Sequence, residues 1–453
     1  MTQTNTRRSA WGKVLILSFL LAALLSATMM LAARPAHAET TFTVNNTGDS
    51  ADTNLSDGLC DSSSLAGIQC TLRAAIQEAN DTPGADAIGF GIPGDFVRTI
   101  FPTSALPAIT EAVTIDGYTQ TGASANTLEK GTNAVLKIQL DGSNAEGNFV
   151  DGLDVDANNV VIRGLAINRF DNDGIDILNR TGVKIEGNFI GTSASGTLDL
   201  GNGASGVFVE GDSNAVGGTL PSQRNLISGN GRDGVVVFLD TQNARVEGNL
   251  IGTSKDGITA LGNTGDGVDI INSSGNFVGG SVASAANTIA FNSDDGVNVS
   301  SAAGLDATGN RILGNSIFSN GGLGMDLVGG TENAAGATEN DPGDSDTGVN
   351  DLQNKPAITS AKTAGGKTTI EGKLNSTPND RFQIQFFSNP SGNEGKKFLG
   401  SRTVFFTDST GNATFTFTPS QAIPAGQRIT ATATDVIDGN TSEFSAPRTV
   451  VAQ

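Results

Sequence analysis

The sequence predicts an all-β protein: a parallel β-helix, with a capping segment before it and an immunoglobulin-like β-sandwich after it. Three observations carry this. A unit of 61 residues repeats in the middle of the chain. A glycine followed by alternating apolar residues returns every 28 to 33 residues. Residues 357–453 break into short β-rich runs separated by turns.

The repeat is explicit. "GNFIGTSASGTLDLGNGASGVFV" (187–209) aligns without gaps to "GNLIGTSKDGITALGNTGDGVDI" (248–270), with 12 of 23 positions identical. The unit divides again at Gly174, Gly206, Gly234, Gly267, Gly296 and Gly324, in steps of 32, 28, 33, 29 and 28 residues. After each glycine comes a run such as "GIDIL", "GVFVE" or "GVNVS". Alternation with period two, rich in β-branched residues, is a strand with one buried face. A second short strand follows a recurrent asparagine: Asn188, Asn214, Asn225, Asn249, Asn276, Asn287 and Asn310. A coil of about 30 residues cannot bury its apolar face alone, but stacked coils build one continuous core. Glycine supplies positive φ at corners. Asparagine at a repeated corner can stack on its equivalents and satisfy buried backbone groups. Earlier coils are less regular but still alternate, so the helix is expected over 110–330.

The flanking elements follow in chain order. Residues 1–38 read as an export signal, with basic Arg7, Arg8 and Lys13, an apolar run over 14–33 and "AHA" at 36–38. A retained anchor is the alternative, because the run nears spanning length. The small-residue site favours cleavage after Ala38, which leaves no further membrane span. Residues 39–109 form the expected cap. There "TFTVNN" (41–46) can add a strand, and "TLRAAIQEAN" (71–80) is a helix capped by Thr71 with Leu72, Ala75, Ile76 and Ala79 on one face. Cys60 and Cys70 are the chain's two cysteines and, in an exported protein, are expected to pair. Residues 331–356 are acidic and glycine-rich, a linker or an ion-binding loop. Phe382, Phe386, Phe387, Phe405 and Phe406 in 357–453 read as sandwich core.

Composition narrows the function. From Glu39 onward the chain has 23 basic and 47 acidic residues, a net charge of −24. That excess argues against nucleic acid or an anionic membrane as partner and suits divalent cations outside the cell. The sole histidine and tryptophan, His37 and Trp11, leave with the signal.

Several stretches resemble one family. "CTLRAAI" (70–76) is similar to the CSLREA motif of exported bacterial β-helix proteins, departing from it at Thr71 and Ala74, where the motif has Ser and Glu. "TIDGYTQTGASANT" (114–127), the "GNxIGT" repeats and "NDPGDSDTGVNDLQNKP" (340–356) also resemble that group. The resemblance spans nearly all of the chain after the signal. It implies a secreted or surface-associated right-handed β-helix of the broad pectate-lyase-like class. It implies little about activity, because a fold does not fix a function.

The residues bear on several chemistries. A polygalacturonase-like pair among the repeated aspartates lacks the histidine and the Arg-x-Lys element that accompany it. The position before each repeated glycine holds Asp173, Ser205, Asp233, Asp266, Asp295 and Leu323. One active site would not recur at most coils, whereas a turn preference would. A calcium-dependent polysaccharide lyase could use Arg169 as base beside Asp171, Asp173 and Asp176, with Ca²⁺ on the acids. A second calcium candidate is the acidic loop, through Asp341, Asp344, Asp346, Asn350 and Asp351. "AKTAGGKT" (361–368) starts with Ala361 where a phosphate loop needs glycine. The expectation is a monomeric, secreted or cell-surface scaffold or adhesion protein without catalysis, meeting an extracellular polysaccharide or a surface protein. The lyase and a glycan-binding module are the alternatives.

Overall fold

The computed structural model describes residues 39–55, 57–63, 69–404 and 406–453. The expected export signal and Phe405 lie outside the described residues. No described helix is long and apolar enough to cross a membrane.

Among the described residues, strands stack into three all-parallel sheets of nine, eight and seven strands. Each regular coil gives one strand to each sheet, so a coil has three strands where the sequence suggested two. The recurrent asparagines precede strands of two different sheets. Leu226–Ile227 follows Asn225 in the eight-stranded sheet, and Phe277–Gly279 follows Asn276 in the nine-stranded one. The glycine runs supply the third sheet through Ile175–Ile177, Val207–Glu210, Val235–Phe238, Val268–Ile271, Val297–Ser300 and Met325–Leu327. Parallel crossovers of this kind wind right-handed, and the fold is a right-handed parallel β-helix. Stacking begins before residue 110. Thr41–Val44 pairs with Asp86–Phe90, and Asp86–Phe90 with Val113–Asp116.

Inward residues of the three sheets form one core, with Ile175, Val207, Val235, Val268 and Val297 fully buried in successive coils. The repeated glycines do not need positive φ. A Cβ on Gly267 would meet Ile289 Cγ2 at 2.3 Å and the Gly296 carbonyl at 2.6 Å. Glycine is there because the next coil passes too close for a side chain. Gly267→Ala is expected to destabilise by roughly 1–3 kcal/mol through overpacking, read as a lower urea midpoint. Unchanged stability would contradict this steric role.

Asparagines line the inside of the corners. Asn188, Asn225, Asn249, Asn287 and Asn315 form one ladder. Each donates its backbone N–H to the Oδ1 of the next, at 2.9 to 3.3 Å. A second ladder, Asn202, Asn230, Asn263, Asn292 and Asn320, repeats the pattern at another corner. The side-chain Nδ2 groups bond along the ladder and to backbone carbonyls, so buried amide groups of consecutive coils satisfy one another.

Both ends of the helix are covered. Helix α1 (Leu72–Asp81) closes the first, with Thr71 accepting from the Ala74 N–H at 3.1 Å. Leu72, Ala75, Ile76 and Ala79 are buried as expected, and so are Ala74 and Glu78. Cys60 and Cys70 are disulfide-bonded.

The sandwich, two four-stranded sheets packed on Ile370, Phe382, Phe386 and Phe415, closes the other end. It docks on the last coil rather than hanging from a free linker. Phe387 and Phe444 join the helix core. Glu394 ends the second ladder by accepting from Asn320 Nδ2 at 3.1 Å. Asn350 ends a third ladder by accepting from the Asn310 N–H at 2.9 Å. The buried Glu443 accepts from the Leu327 and Thr338 N–H groups and pairs with Lys355 at 3.1 Å. Phe382, Phe386 and Phe387 are buried, but Phe406 is 65% exposed, because the chain has left the strand there at φ 148°.

Candidate functional site

The outer face of the seven-stranded sheet gathers the chemistry. Its register places Asp154, Asp176, Phe208, Val236, Asp269, Asn298 and Asp326 in one row across successive coils. These residues point outward because each sits between two inward apolar neighbours. Beside the row runs the corner column. The carboxylate of Asp151 accepts from the Asp173 N–H, Asp173 from Ser205, Asp233 from Asp266, and Asp266 from Asp295, at 2.6 to 2.8 Å. Asp295 accepts likewise from Leu323. A turn role would have these aspartates bond backbone close by in sequence. Their partners instead lie one coil away, so the column ties coils together.

Row and column meet in acidic groups. Ligand oxygens of Asp151, Asp154 and Asp176 lie within 4.8 Å of one another, as do those of Asp233, Asp266 and Asp269, and those of Asp266, Asp294 and Asp295. Phe208 and Val236 separate the first group from the second. Asp176 Oδ1 and Asp326 Oδ1 are buried and accept no hydrogen bond. No ion pair reaches these carboxylates among the described residues. Arg232 is the cation whose charge is felt at Asp173 and Asp233.

Burial, and then neighbouring acids, push these groups upward. Asp266 is raised to about 8, and Asp176, Asp269 and Asp326 to about 7. Asp151 is also raised to about 7, by burial first, against the lowering effect of its hydrogen bond from Asp173. An unfolded aspartate titrates near 4, so the fold holds extra protons between about pH 4 and 8. The stability this face contributes is fully present below about pH 4 and is lost as pH rises through about 7 to 8. In chelator, the melting temperature is expected to fall between pH 5.5 and 8. Asp266→Asn and Asp269→Asn keep the shape and should flatten that fall. A wild-type slope retained in both variants would contradict the assignment.

The sequence-derived candidates separate. Arg169 pairs with Asp141 at 2.8 Å, not with the acids chosen beside it. Asp171 accepts from the Phe149 and Val150 N–H groups. Asp173 belongs to the corner column, and Asp176 alone of the four stands in the outer row. In the acidic loop, Asp341, Asp344 and Asp346 come within 4.8 Å of one another, and Asp346 Oδ1 is buried without a partner. Asn350 is a ladder cap, and Asp351 accepts from Asn440 Nδ2 at 2.6 Å, so neither joins that group. Asp151, Asp154, Asp326 and Arg232 were missed. The available signal was the acid two residues after a repeated glycine, seen at Asp154, Asp176, Asp269 and Asp326.

Fold and face together define a right-handed parallel β-helix with a carboxylate-lined sheet and a docked sandwich. No protein-family model matches the chain, and no curated protein matches it. Among solved structures, full-length tailspike protein 2 from Escherichia coli O157:H7 bacteriophage CAB120 is similar, at 12% identity and a TM-score of 0.17. The match covers 81% of this chain and 58% of the tailspike, so the chain spans less than two thirds of that protein's length.

Proposed function

We propose that the protein is a secreted or cell-surface β-helix scaffold of adhesion type, a member of the CSLREA group, without catalysis. Its partner would be an extracellular polysaccharide or a surface protein met through the seven-stranded face. One observation supports this above others: the repeated aspartates are committed to a column of backbone bonds between coils. A structural bond repeated from coil to coil accounts for these aspartates, where a catalytic pair would be expected once along the axis.

A second reading has its own support. The close carboxylates beside Phe208 and Arg232 suit a Ca²⁺-assisted polysaccharide lyase, or glycan binding without turnover. Arg232, rather than Arg169, is then the base. A panel of pectate, alginate and glycosaminoglycan, read as ultraviolet absorbance of unsaturated product with and without Ca²⁺, separates the readings. The scaffold predicts no product. Turnover lost in Arg232→Ala would replace it with the lyase.

The acidic loop is proposed to bind Ca²⁺ through Asp341, Asp344 and Asp346, whose oxygen-only set fits that ion. Calorimetry should show Ca²⁺ heat that diminishes in Asp344→Ala and Asp346→Ala. The same heat in both variants would remove the site. Mass analysis of the exported protein should find Glu39 at its N-terminus; retention of residues 1–38 would favour the anchor.

A further inference from the structure

Where the helix meets the sandwich lies an open cavity of about 360 Å³ that nothing described so far employs. Three successive coils supply one wall, through Gln242, Ser274 and Thr308 in the turns that lead into the nine-stranded sheet. The linker adds Asp351, and the sandwich adds Asp438 and Asn440. Gly275 and Gly309 complete the lining at φ 71° and 70°, where a side chain would be strained, so that stretch stays bare. The polar groups are held in place. Asn440, 4% exposed, accepts from the Gly309 N–H at 2.6 Å and donates to Asp351 Oδ2 at 2.6 Å. Ser274 Oγ accepts from the Thr308 N–H at 3.0 Å, which leaves its own O–H to donate.

Two arginines stand beside this cavity. Pairing between coils puts Arg245, Phe277 and Arg311 in one outward row of the nine-stranded sheet. The two guanidinium carbons lie 4.3 and 5.8 Å from the centre of the Phe277 ring. Arg311 packs against Gly439, where a Cβ would come within 2.5 Å of its guanidinium carbon, and it donates to the Ile437 carbonyl at 3.3 Å. Gly439 sits between the cavity residues Asp438 and Asn440. Arg245 spends one donor on Glu247 at 2.9 Å, and Arg311 forms no ion pair among the described residues. A guanidinium has five donors, so both keep N–H groups for a ligand. Stacking on one ring orients them without using those donors.

We infer that this junction binds a uronic acid residue of an acidic polysaccharide. The lining is polar and glycine throughout, so it suits a hydroxyl-rich ligand rather than an apolar one. Asp351 offers an acceptor and Asn440 a donor side by side, which matches sugar hydroxyls that donate and accept at once. The sugar's carboxylate meets Arg311 and Arg245, whose forked donors match its two oxygens. The acidic remainder of the surface repels a polyanion, so the arginine pair also sets where the sugar chain lands. The site lies apart from the acidic row and does not depend on a partner at the seven-stranded face.

Calorimetry of the full chain with trigalacturonate, in chelator, tests the site. The wild type should bind it. Maltotriose has the hydroxyls without the carboxylates and should bind at least about tenfold more weakly. Replacing the pair together, Arg245→Ala with Arg311→Ala, should weaken trigalacturonate by about tenfold or more. Asn440→Ala should weaken it by about tenfold through the hydroxyl contacts. Lys362→Ala removes an exposed charge from the sandwich strand Ala357–Ala364 and should leave binding intact. No saturable binding by the wild type would overturn the inference. So would maltotriose bound as tightly, or trigalacturonate binding unchanged in the double arginine variant. Binding that appears only with Ca²⁺ and survives in both variants would belong to the seven-stranded face and would overturn it too. If Asn440→Ala loses its native circular dichroism, the surface arginine pair decides.

Discussion

Deleting residues 357–453 should turn the protein into an aggregating chain. The sandwich resembles a separate domain in sequence, and a separate domain would be dispensable to the helix. The structure makes it the lid of the core. Without it, Phe387 and Phe444 leave the hydrophobic cluster that they share with Ile317, Met325 and Leu327. Glu394, Gln385 and Glu443 no longer accept from Asn320, Gly314 and Leu327. The last coil then presents parallel strand edges above exposed core, a template for another chain. Size-exclusion chromatography and dye binding should show oligomers and apolar surface where the full chain shows neither. A truncated chain that stays monomeric and melts cooperatively would refute the lid.

The second large effect is expected from Asn249→Ala. Asn249 Oδ1 accepts from Asn225 Nδ2 at 3.0 Å and from its backbone N–H, and its Nδ2 donates to Val216 O at 2.8 Å and Asn287 Oδ1 at 3.1 Å. Alanine leaves these groups buried and unmatched. Each orphan costs about 1–3 kcal/mol, so a total loss of roughly 3–5 kcal/mol is expected from several orphans that partly share the relaxation. Urea unfolding measures it. A loss under about 1 kcal/mol would mean that water enters the corner and replaces the ladder.

Much of this was legible in the residues because the helix repeats its own evidence. Glycine spacing gave the coils, and alternation gave the buried face. Thr71 gave the cap, and the cysteine pair its bond. What escaped depended on register between coils. The third strand was hidden because the asparagine-led strands of two different sheets, such as Leu226–Ile227 after Asn225 and Phe277–Gly279 after Asn276, look alike in sequence. The second asparagine ladder was hidden inside "GNG", where Asn202 looked like turn composition. The first acidic group was hidden because Gly152 stands only 22 residues before Gly174, outside the regular step. Asp151 and Asp154 therefore looked unrelated to Asp176 until strand pairing brought them together. Asn350 and Asp351 were grouped with their acidic neighbours by sequence distance alone. Their side chains turn instead toward Asn310 and Asn440.

The ladders carry one further consequence. Within the two ladders each asparagine gives its backbone N–H to the next, so each of these coils offers its successor the same socket that it occupied itself. A duplicated pair of coils inserted between two existing ones would meet matching donors and acceptors on both sides. Only the terminal lids are unique. The molecule is thus a ruler as well as a scaffold. Each coil adds about 4.8 Å, and the distance between α1 and the sandwich can change by duplication within the gene without redesign of either end.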